Sequence, residues 1–341
     1  GLREFNEQDL SNTAWAFATA DHEAPALFEA ISAEAVNRGL GSFNEQDLSA
    51  TAWAFVTAGH EAPEFFNTIS AEAVHRGVGG FNEQALSNTA WAFAKARHEA
   101  PALFEAISAE AVNRGLREFN EQDLSNTAWA FAAAGHEAPA LIDDISAEAL
   151  RRRLGGFDVQ HVSNMAWALA VSDTPSAGEL FRTTSFTTRC AHFEASFSLE
   201  QLRQLHQWSL WREERGELWP GLPESLRQAC LDAFVEGDGR PSQLQSDVAQ
   251  EIRSRDAHVE EEYRCKASGY SIDALVTLND DSQIAVEVDG PSHFLKRSKQ
   301  PTGATLLKHR QLRYFGWRLE SVPYWEWDHI RGLPWLPPRR S

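Results

Sequence analysis

The chain has 341 residues, a net charge of −18 and 43% hydrophobic residues. This length argues for two or three domains, and the hydrophobic content is ordinary for a soluble globular protein. No segment approaches the ~20 consecutive apolar residues of a membrane span, so we expect no membrane partner. The three cysteines, Cys190, Cys230 and Cys265, form neither a zinc pattern nor a disulfide framework, which makes a reducing compartment the default.

The charge is unevenly distributed along the chain. The first half is strongly acidic, whereas the stretch from Phe294 to Ser341 is basic. Strong overall acidity argues against a protein that wraps nucleic acid through general phosphate contacts. A basic patch on an acidic body is typical of local contact with an anionic partner, although random scatter of surface charge would look the same.

The first half is a tandem repeat with a period of 38 residues, and its core word is FNEQDLSNTAWAFA. Four copies are nearly identical, and the fifth decays after Ala170. The repeats start near the phenylalanines Phe5, Phe43, Phe81, Phe119 and Phe157. A period of this length predicts one helix–turn–helix unit per repeat.

Each repeat carries the signals of two helices. Asn6 with Asp9 three residues later resembles a capping box at the start of helix A. Pro25 suits the first position of helix B, and Gly39 suits its C-terminal cap. Because such a hairpin buries its apolar face only against its neighbours, the sequence predicts an α-helical solenoid over residues 1–172.

Some positions of the repeat bear on ligand binding. The repeated tryptophans lie in a helical apolar pattern, so we expect them in the core rather than stacked on bases; they are Trp15, Trp53, Trp91, Trp129 and Trp167. Two positions vary within otherwise copied units, and helical-repeat RNA binders read one base per repeat with such side chains. The first series is Asn12, Ala50, Asn88, Asn126 and Asn164. The second is Asp9, Asp47, Ala85, Asp123 and His161, and neutral drift is the alternative for both.

The period is lost in a middle segment, residues 173–241. It contains two predicted helices, from Leu199 to Arg215 and from Glu224 to Val235. The breaker cluster Gly237 to Pro241 predicts a boundary, after which we assign residues 242–341 to a C-terminal domain.

Two short apolar runs in that domain predict a β-hairpin, Tyr270 to Leu278 and Ile284 to Gly290. Its loop places Asp273 within one position of Glu287 on the partner strand. Like charges at that distance repel each other. A divalent cation, a shared proton, or a lysine or arginine must therefore offset the repulsion.

The rest of the domain predicts a small α/β unit. Ser242 to Ser254 and Thr302 to Phe315 read as helices, and Trp317 to Val322 reads as a third strand. A strand–helix–strand crossover then returns the chain beside the hairpin.

Four motifs occur here in order: GYSIDALV, IAVEVDGPSHF, TGATLLKHRQLRYFGW and VPYWEW. Together they closely resemble the RAP domain of organellar RNA-metabolism proteins. The 38-residue helical pairs resemble octotricopeptide repeats of organellar RNA-binding proteins, which often precede a RAP domain.

The RAP domain is similar to very-short-patch-repair endonucleases and the PD-(D/E)xK nuclease fold. That resemblance implies a restriction-endonuclease-like α/β domain in which Asp273 and Glu287 hold Mg²⁺, with Asp289 as a further oxygen ligand. The catalytic lysine of the fold is replaced by Asp289, and Lys308 is the candidate to restore that charge. The alternative is a relic site whose carboxylates are held by hydrogen bonds or by Lys308 and Arg310.

Candidate RNA contacts follow the carboxylate strand. His293 suits proton transfer, a phosphate contact or a turn. The candidate phosphate contacts are Lys296, Arg297, Lys299, Lys308, Arg310 and Arg313. Tyr324, Trp325 and Trp327 form either a stacking surface or a local aromatic core.

Three functions remain open at this stage. The first is binding of single-stranded RNA in a mitochondrion or plastid, in RNA processing, stability or translation, with other RNA-processing proteins as partners. The second is a Mg²⁺-dependent endoribonuclease, and the third is a protein-interaction scaffold. Kinase activity has no support because the chain contains no His-Arg-Asp or Asp-Phe-Gly motif. Gly1–Phe5 repeats Gly115–Phe119, a repeat junction, so we expect a longer parent chain that carries any targeting segment.

Overall fold

The structure is a computed structural model that describes residues 2–236, 241–255 and 257–327. An array of helical pairs leads into a helical connector, and a small domain with a four-stranded mixed sheet follows. The predicted solenoid followed by an α/β domain is therefore confirmed.

The array consists of alternating A and B helices. The A helices are α1 (Glu7–Thr19), α3 (Glu45–Thr57), α5 (Glu83–Lys95), α7 (Glu121–Ala133) and α9 (Val159–Ser172). The B helices are α2 (Pro25–Arg38), α4 (Pro63–Arg76), α6 (Pro101–Arg114) and α8 (Pro139–Arg151). Neighbouring A helices contact each other extensively and neighbouring B helices only sparsely, so the A helices form the inner layer.

Capping accounts for one of the two variable series. The side chain of Asn6 accepts a hydrogen bond from the backbone N–H of Asp9, at 2.8 Å, and the Asp9 carboxylate accepts one from the Asn6 backbone N–H. Asp47 and Asp123 complete the same box, and His161 completes it on Asp158. The polar members of the series that begins at Asp9 therefore cap helices, which favours a structural role for them over base reading, whereas the Ala85 side chain makes no such bond.

A repeated arginine closes each repeat. Arg76 at the end of α4 donates to the carbonyl oxygen of Phe43 over 2.7 Å and pairs with Glu72. The same bond to the opening phenylalanine is made by Arg38, Arg114 and Arg152. In the decayed fifth unit, Arg189 donates to the carbonyl oxygen of Phe157 over 2.7 Å.

Arg189 lies on the short helix α10 (Ser185–His192), which takes the place of a B helix. The connector continues with α11 (Leu199–Glu214), which packs beside α9, and α12 (Glu224–Val235). Both predicted helices of the middle segment are thus present. The predicted boundary at Gly237–Pro241 lies outside the described residues except for Pro241.

The C-terminal domain contains α13 (Gln243–Arg253), β1 (His258–Arg264), β2 (Ser271–Thr277), β3 (Gln283–Asp289), α14 (Gly303–Tyr314) and β4 (Leu319–Pro323). The sheet order is β1-β2-β3-β4. The first three strands are antiparallel, and β4 lies parallel to β3 after the crossover through α14. The hairpin, the following helix and the last strand match the prediction.

Strand β1 was not predicted. Its sequence, HVEEEYR, places three glutamates in a row, and glutamate is depleted in strands. Only Val259 of this edge strand is fully buried, so the usual alternation of apolar and polar residues is weak. Pairing with β2, from His258 opposite Thr277 to Arg264 opposite Ser271, overrides that composition.

Helix α14 docks the C-terminal domain on the repeats. Its Leu312 belongs to the core beneath the sheet, whereas Leu307 belongs to the continuous core of the repeats. At its start, Gly303 lies directly against the carbonyl oxygen of Ala132 on α7. The side chain of Arg310 donates to the carbonyl oxygens of Ala170, at 2.5 Å, and of Val171, at 3.1 Å.

A chain of polar side chains fixes the same interface. The Trp167 indole donates to Gln207 over 2.9 Å, and the Gln207 amide donates to the Tyr270 hydroxyl over 2.8 Å. Tyr270 in turn donates to Gln311 over 2.8 Å, and Gln311 donates back to the Gln207 carbonyl oxygen over 2.9 Å. Because each of the two amides both donates and accepts a hydrogen bond, this network favours one docked arrangement. Across the described residues, no helix is long and apolar enough to cross a bilayer.

Gly303→Ala tests this docking. An added Cβ would lie 1.8 Å from the Ala132 carbonyl oxygen, so α14 must shift away from α7. We expect the free energy of unfolding to fall by about 1–3 kcal/mol, the usual cost of overpacking. Urea denaturation followed by tryptophan fluorescence measures it. Gly290→Ala is the control, since its added Cβ meets nothing within 4 Å. Equal stability of the two variants would contradict the docking.

Candidate nucleic-acid interface and carboxylate site

The three predicted carboxylates lie on β2 and β3, on the sheet face toward α14. The β2–β3 ladder ends at Ala274 opposite Val286, and its register continues to Asp273 opposite Glu287. Beyond that point the Asp273 carboxylate accepts a hydrogen bond from the backbone N–H of Val288 at 2.7 Å. Asp273 thus supplies the acceptor that the end of the ladder lacks.

Glu287 is fully buried and forms an ion pair with Lys308 of α14. One of its oxygens faces the ammonium, and the other has no partner among the described residues. Burial raises the pKa of Glu287 to about 8, and Asp273 and Asp289 add to the increase, while Lys308 opposes it. Burial thus favours the protonated form of Glu287, whereas the Lys308 ammonium favours the carboxylate.

Lys308 balances the other two carboxylates. Burial alone would lower the pKa of Lys308, but Glu287, Asp273 and Asp289 together raise it. Of the three ways to offset the repulsion between Asp273 and Glu287, the structure uses a lysine, Lys308, and burial shifts Glu287 toward its protonated form.

Asp289 is also buried, and its partners differ. The Ser321 hydroxyl donates to Oδ2 over 2.5 Å. Nδ1 of His293 lies 2.9 Å from Oδ1, and Nε2 of His309 lies 3.4 Å from Oδ2. Burial would raise the pKa of Asp289, but these three neighbours hold it well below its ordinary value. His293 thus lies beside Asp289 at the edge of the site, with a third of its side chain exposed.

This arrangement does not fit a divalent cation. Within the described ranges, no three histidine, cysteine, aspartate or glutamate side chains are placed to hold a metal ion. The ammonium of Lys308 occupies the position beside Glu287 where a cation would neutralise the cluster. Glu287 and Asp289 are also 0% and 1% exposed, so a phosphodiester does not reach them. The proposed catalytic and Mg²⁺-binding roles of Asp273, Glu287, Asp289 and Lys308 gain no support from this geometry.

Two predicted phosphate contacts serve other purposes. Arg310 binds the C-terminal carbonyls of α9 and pairs with Glu214 over 2.8 Å, so it is an interdomain residue. Lys308 is committed to the carboxylates. Arginine and lysine look alike in sequence whether they face solvent or a neighbouring domain, which explains both corrections.

The other predicted basic residues lie at the surface. Arg297, Lys299 and Arg313 are exposed, and Lys296 is half-buried in a pair with Glu61 at 2.9 Å. The Lys299 ammonium lies 5.3 Å from the ring centre of Trp325, which packs on Phe294. Of the predicted aromatic cluster, Tyr324 is exposed, whereas Trp327 packs against the core of the sheet.

The exposed side of the A helices forms a continuous stripe. Its residues lie at i, i+4, i+7 and i+11, which share one helix face. We call this the A-helix stripe. It comprises Gln8, Asn12, Trp15, Thr19, Gln46, Ala50, Trp53, Thr57, Gln84, Asn88, Trp91, Lys95, Gln122, Asn126, Trp129 and Ala133.

The core prediction for the repeated tryptophans holds in part, since Trp53, Trp91 and Trp129 pack against the core while remaining partly accessible. Trp15 is 49% exposed, and Trp53, Trp91 and Trp129 are half-buried. The rings of Trp91 and Trp129 lie 6.5 Å apart at an angle of 38° and continue toward Trp167. The three-residue spacing from Asn88 to Trp91 was the available signal, because it places both side chains on one face.

The fifth unit does not contribute to this exposed surface. Gln204 of α11 donates to Asn164 over 3.3 Å, and Gln207 covers Trp167. Asn164 and Trp167 are therefore buried under the connector. The accessible stripe, with Asn12, Asn88 and Asn126, spans the first four repeats.

Fold and surfaces together define a helical-repeat protein that ends in a small mixed α/β domain. Residues 286–333 match the model of the RAP domain, and residues 328–333 of that match lie outside the described part of the chain. The match runs through most of β3, then α14 and β4, and includes Glu287, Asp289 and Lys308. The chain thus carries a RAP domain after a helical repeat array.

A relative was found in the rice Oryza sativa subsp. japonica, a chloroplastic RAP domain-containing protein that is 30% identical over 118 residues. The similarity covers 35% of this chain and 17% of the rice protein. The chain therefore corresponds to a small part of that relative's length.

The titration of Glu287 is testable through stability. Its pKa is raised from 4.5 to about 8 in the fold, so the folded chain binds a proton that the unfolded chain has lost between these values. Its contribution therefore destabilises the fold increasingly as the pH rises through this window, by at most about 1.4 kcal/mol per pH unit.

We expect Glu287→Gln, which mimics the protonated form, to gain at least about 1 kcal/mol of stability relative to the wild type between roughly pH 5.5 and pH 8.5. Urea denaturation at a series of pH values gives this difference curve. Glu260→Gln, at an exposed position of β1, is the matched control. Parallel curves for Glu287→Gln and the wild type would show that Glu287 titrates normally.

Proposed function

We propose that the chain binds single-stranded RNA, with bases on the A-helix stripe and phosphates on exposed basic residues of the RAP domain. The observation that carries this proposal is the row of accessible tryptophans accompanied by asparagines on the inner layer of the repeats. Base stacking on aromatic side chains contributes about 1–3 kcal/mol per base. Amide side chains hydrogen-bond to the exposed edges of unstacked bases.

The acidic composition of the chain argues against RNA binding in general, but the A-helix stripe itself is not acidic. The stripe contains glutamine, asparagine, threonine, alanine and tryptophan, and its one charged residue is Lys95. The carboxylates of the repeats lie elsewhere, as Glu72 and Glu110 do in the pairs with Arg76 and Arg114. An RNA strand on the stripe therefore avoids the carboxylates that give the body its negative charge.

Phosphate contacts fall to the exposed cations. Arg297, Lys299 and Arg313 are all exposed on the RAP domain, and His293 lies beside the same segment. Such contacts position a strand and strengthen its binding without reading sequence. In this division of roles, Asn12, Asn88 and Asn126 carry base preference.

The rice relative supports an organellar setting. Its name places that protein in the chloroplast, which favours the plastid over the mitochondrion for this chain. We infer that the RNA is an organellar transcript, and that the outcome is a change in its processing, stability or translation, in concert with other RNA-processing proteins.

Removal of two stripe rings tests the proposal. We expect the double substitution Trp91→Ala and Trp129→Ala to weaken binding of a labelled single-stranded RNA at least about tenfold, since each lost stack costs about 1–3 kcal/mol. Fluorescence anisotropy on the full chain, with a mixed-sequence RNA at fixed salt, measures the affinity.

Val74→Ala with Val112→Ala is the matched control, because both valines are exposed on B helices outside the stripe. Thermal unfolding shows whether either double variant has lost the fold. Undiminished RNA affinity in the folded tryptophan variant would remove the stripe from the proposal. Absence of RNA binding by the wild type would overturn it and favour a protein-interaction scaffold.

A further inference from the structure

The repeats form a cleft wherever two successive A–B turns lie side by side. Between the first two repeats this cleft has a volume of about 220 Å³, and its lining includes Asp21, Glu23, Pro25 and Phe28. Between repeats two and three the equivalent cleft is larger, about 400 Å³, and includes Pro63 and Phe66 at the matching positions. Roughly 300–1,000 Å³ is typical of small-molecule sites.

The second cleft differs from the first in its cations. Lys95 replaces the threonine found at the same position of the preceding repeat, Thr57. Lys296 and Arg297 of the RAP domain complete the wall. Against these three cations stands one carboxylate, that of Glu61. The second cleft is therefore cationic, whereas the first, lined by Asp21 and Glu23, is acidic.

The added wall is held firmly. The backbone N–H of Lys296 donates to the carbonyl oxygen of Arg97 over 2.7 Å, and the Arg97 guanidinium donates to the carbonyl oxygen of Pro291 over 3.2 Å. The Lys296–Glu61 pair has an exposed carboxylate, so it contributes little to stability and yields readily to a competing anion.

The backbone conformation and the exposure of Arg297 suit contact with an external anion. Its φ is +63°, a left-handed conformation that is unfavourable for a side chain of this size and that clusters at functional sites. In the part of the chain that the structure describes, neither Arg297 nor Lys95 forms an ion pair, and both are exposed. Two cations thus flank the cleft without an internal carboxylate.

The floor of the cleft is apolar and aromatic. The rings of Phe66 and His98 lie 5.6 Å apart with a tilt of 37°. His98 is 8% exposed, and its Nε2 lies 2.9 Å from Oδ1 of Asn67. Burial lowers the pKa of His98, and Arg297 and Lys296 lower it further, which favours the neutral imidazole. An aromatic floor beneath a cationic rim is complementary to a base attached to a phosphate.

The cleft also continues the A-helix stripe. Lys95 is the last stripe residue of α5, after Gln84, Asn88 and Trp91, and it lines the cleft. A strand that follows the stripe of the third repeat therefore arrives at the cleft rim. This continuity favours a nucleotide over other phosphorylated compounds.

We propose that this cleft, formed jointly by repeats two and three and by Lys296 and Arg297 of the RAP domain, binds one nucleoside 5′-phosphate unit. Its phosphate lies against Lys95, Lys296 and Arg297, and its base lies toward Phe66, Pro63 and His98. The inference of an RNA-linked nucleotide rests on the proposed RNA binding, whereas binding of a free nucleotide does not.

Isothermal titration calorimetry on the full chain tests the site with AMP, GMP, CMP and UMP, and with the matching nucleosides. We expect at least one mononucleotide to bind at least tenfold more tightly than its nucleoside. The double substitution Lys95→Thr and Arg297→Gln should weaken that binding at least tenfold. Arg117→Gln, at an exposed arginine outside the cleft, should leave it unchanged.

Competition of the mononucleotide against labelled RNA then shows whether the natural ligand of the cleft is part of an RNA strand or a free nucleotide. Displacement of the RNA identifies the ligand as a unit of the RNA strand, and binding without displacement identifies a free nucleotide. Equal mononucleotide affinity in the double variant and the wild type, or binding that needs no phosphate, overturns the site. The tryptophan variant distinguishes the two sites. If it loses RNA binding but keeps phosphate-dependent mononucleotide binding, the cleft binds nucleotides independently of the stripe.

Discussion

Helix α14 belongs to two hydrophobic cores at once, and the functional surfaces depend on that shared packing. Leu307 is buried among the repeats and Leu312 beneath the sheet, so the helix cannot move with one domain without leaving the other. The position of Lys308 beside Glu287 follows from this docking, because both leucines orient the same helix. The wall that Lys296 adds to the cleft also depends on it, since residues 291–302 connect the sheet to α14.

The carboxylate cluster has a structural role at the contact between the sheet and α14. Three buried carboxylates need positive charge or protons, and Lys308 supplies positive charge from within the chain while burial raises the pKa of Glu287. The Lys308 ammonium and a metal cation cannot both occupy the position beside Glu287. The cluster therefore holds the sheet to α14 and does not offer an open site. Removal of Lys308 would leave these buried carboxylates without positive charge from within the chain, which usually costs about 3–5 kcal/mol and gives a structural reason to retain the lysine.

The sequence predicted the architecture well because its signals were local and repeated. Capping residues such as Asn6 and helix starts such as Pro25 recur in four copies, and the hairpin register follows from alternation within two short runs. The failures arose where the outcome depends on distant residues. Trp91 has the same local pattern as a core residue, and only the stacking of helices leaves its ring accessible. Arg310 looks like a free cation in sequence, and its partner Glu214 comes from the distant connector helix α11.

The arginine that closes each repeat has a consequence for how the array changes in length. Each of these bonds joins the end of a repeat to its own opening phenylalanine, so a unit is complete before it meets a neighbour. A duplicated unit would bring its own closure and expose the same stacking face. Because the RAP domain touches turns at a fixed distance from the last repeat, units added at the other end would lengthen the stripe without moving the cleft. The number of repeats therefore sets the length of the stripe, whereas the place where the RAP domain contacts the array stays the same.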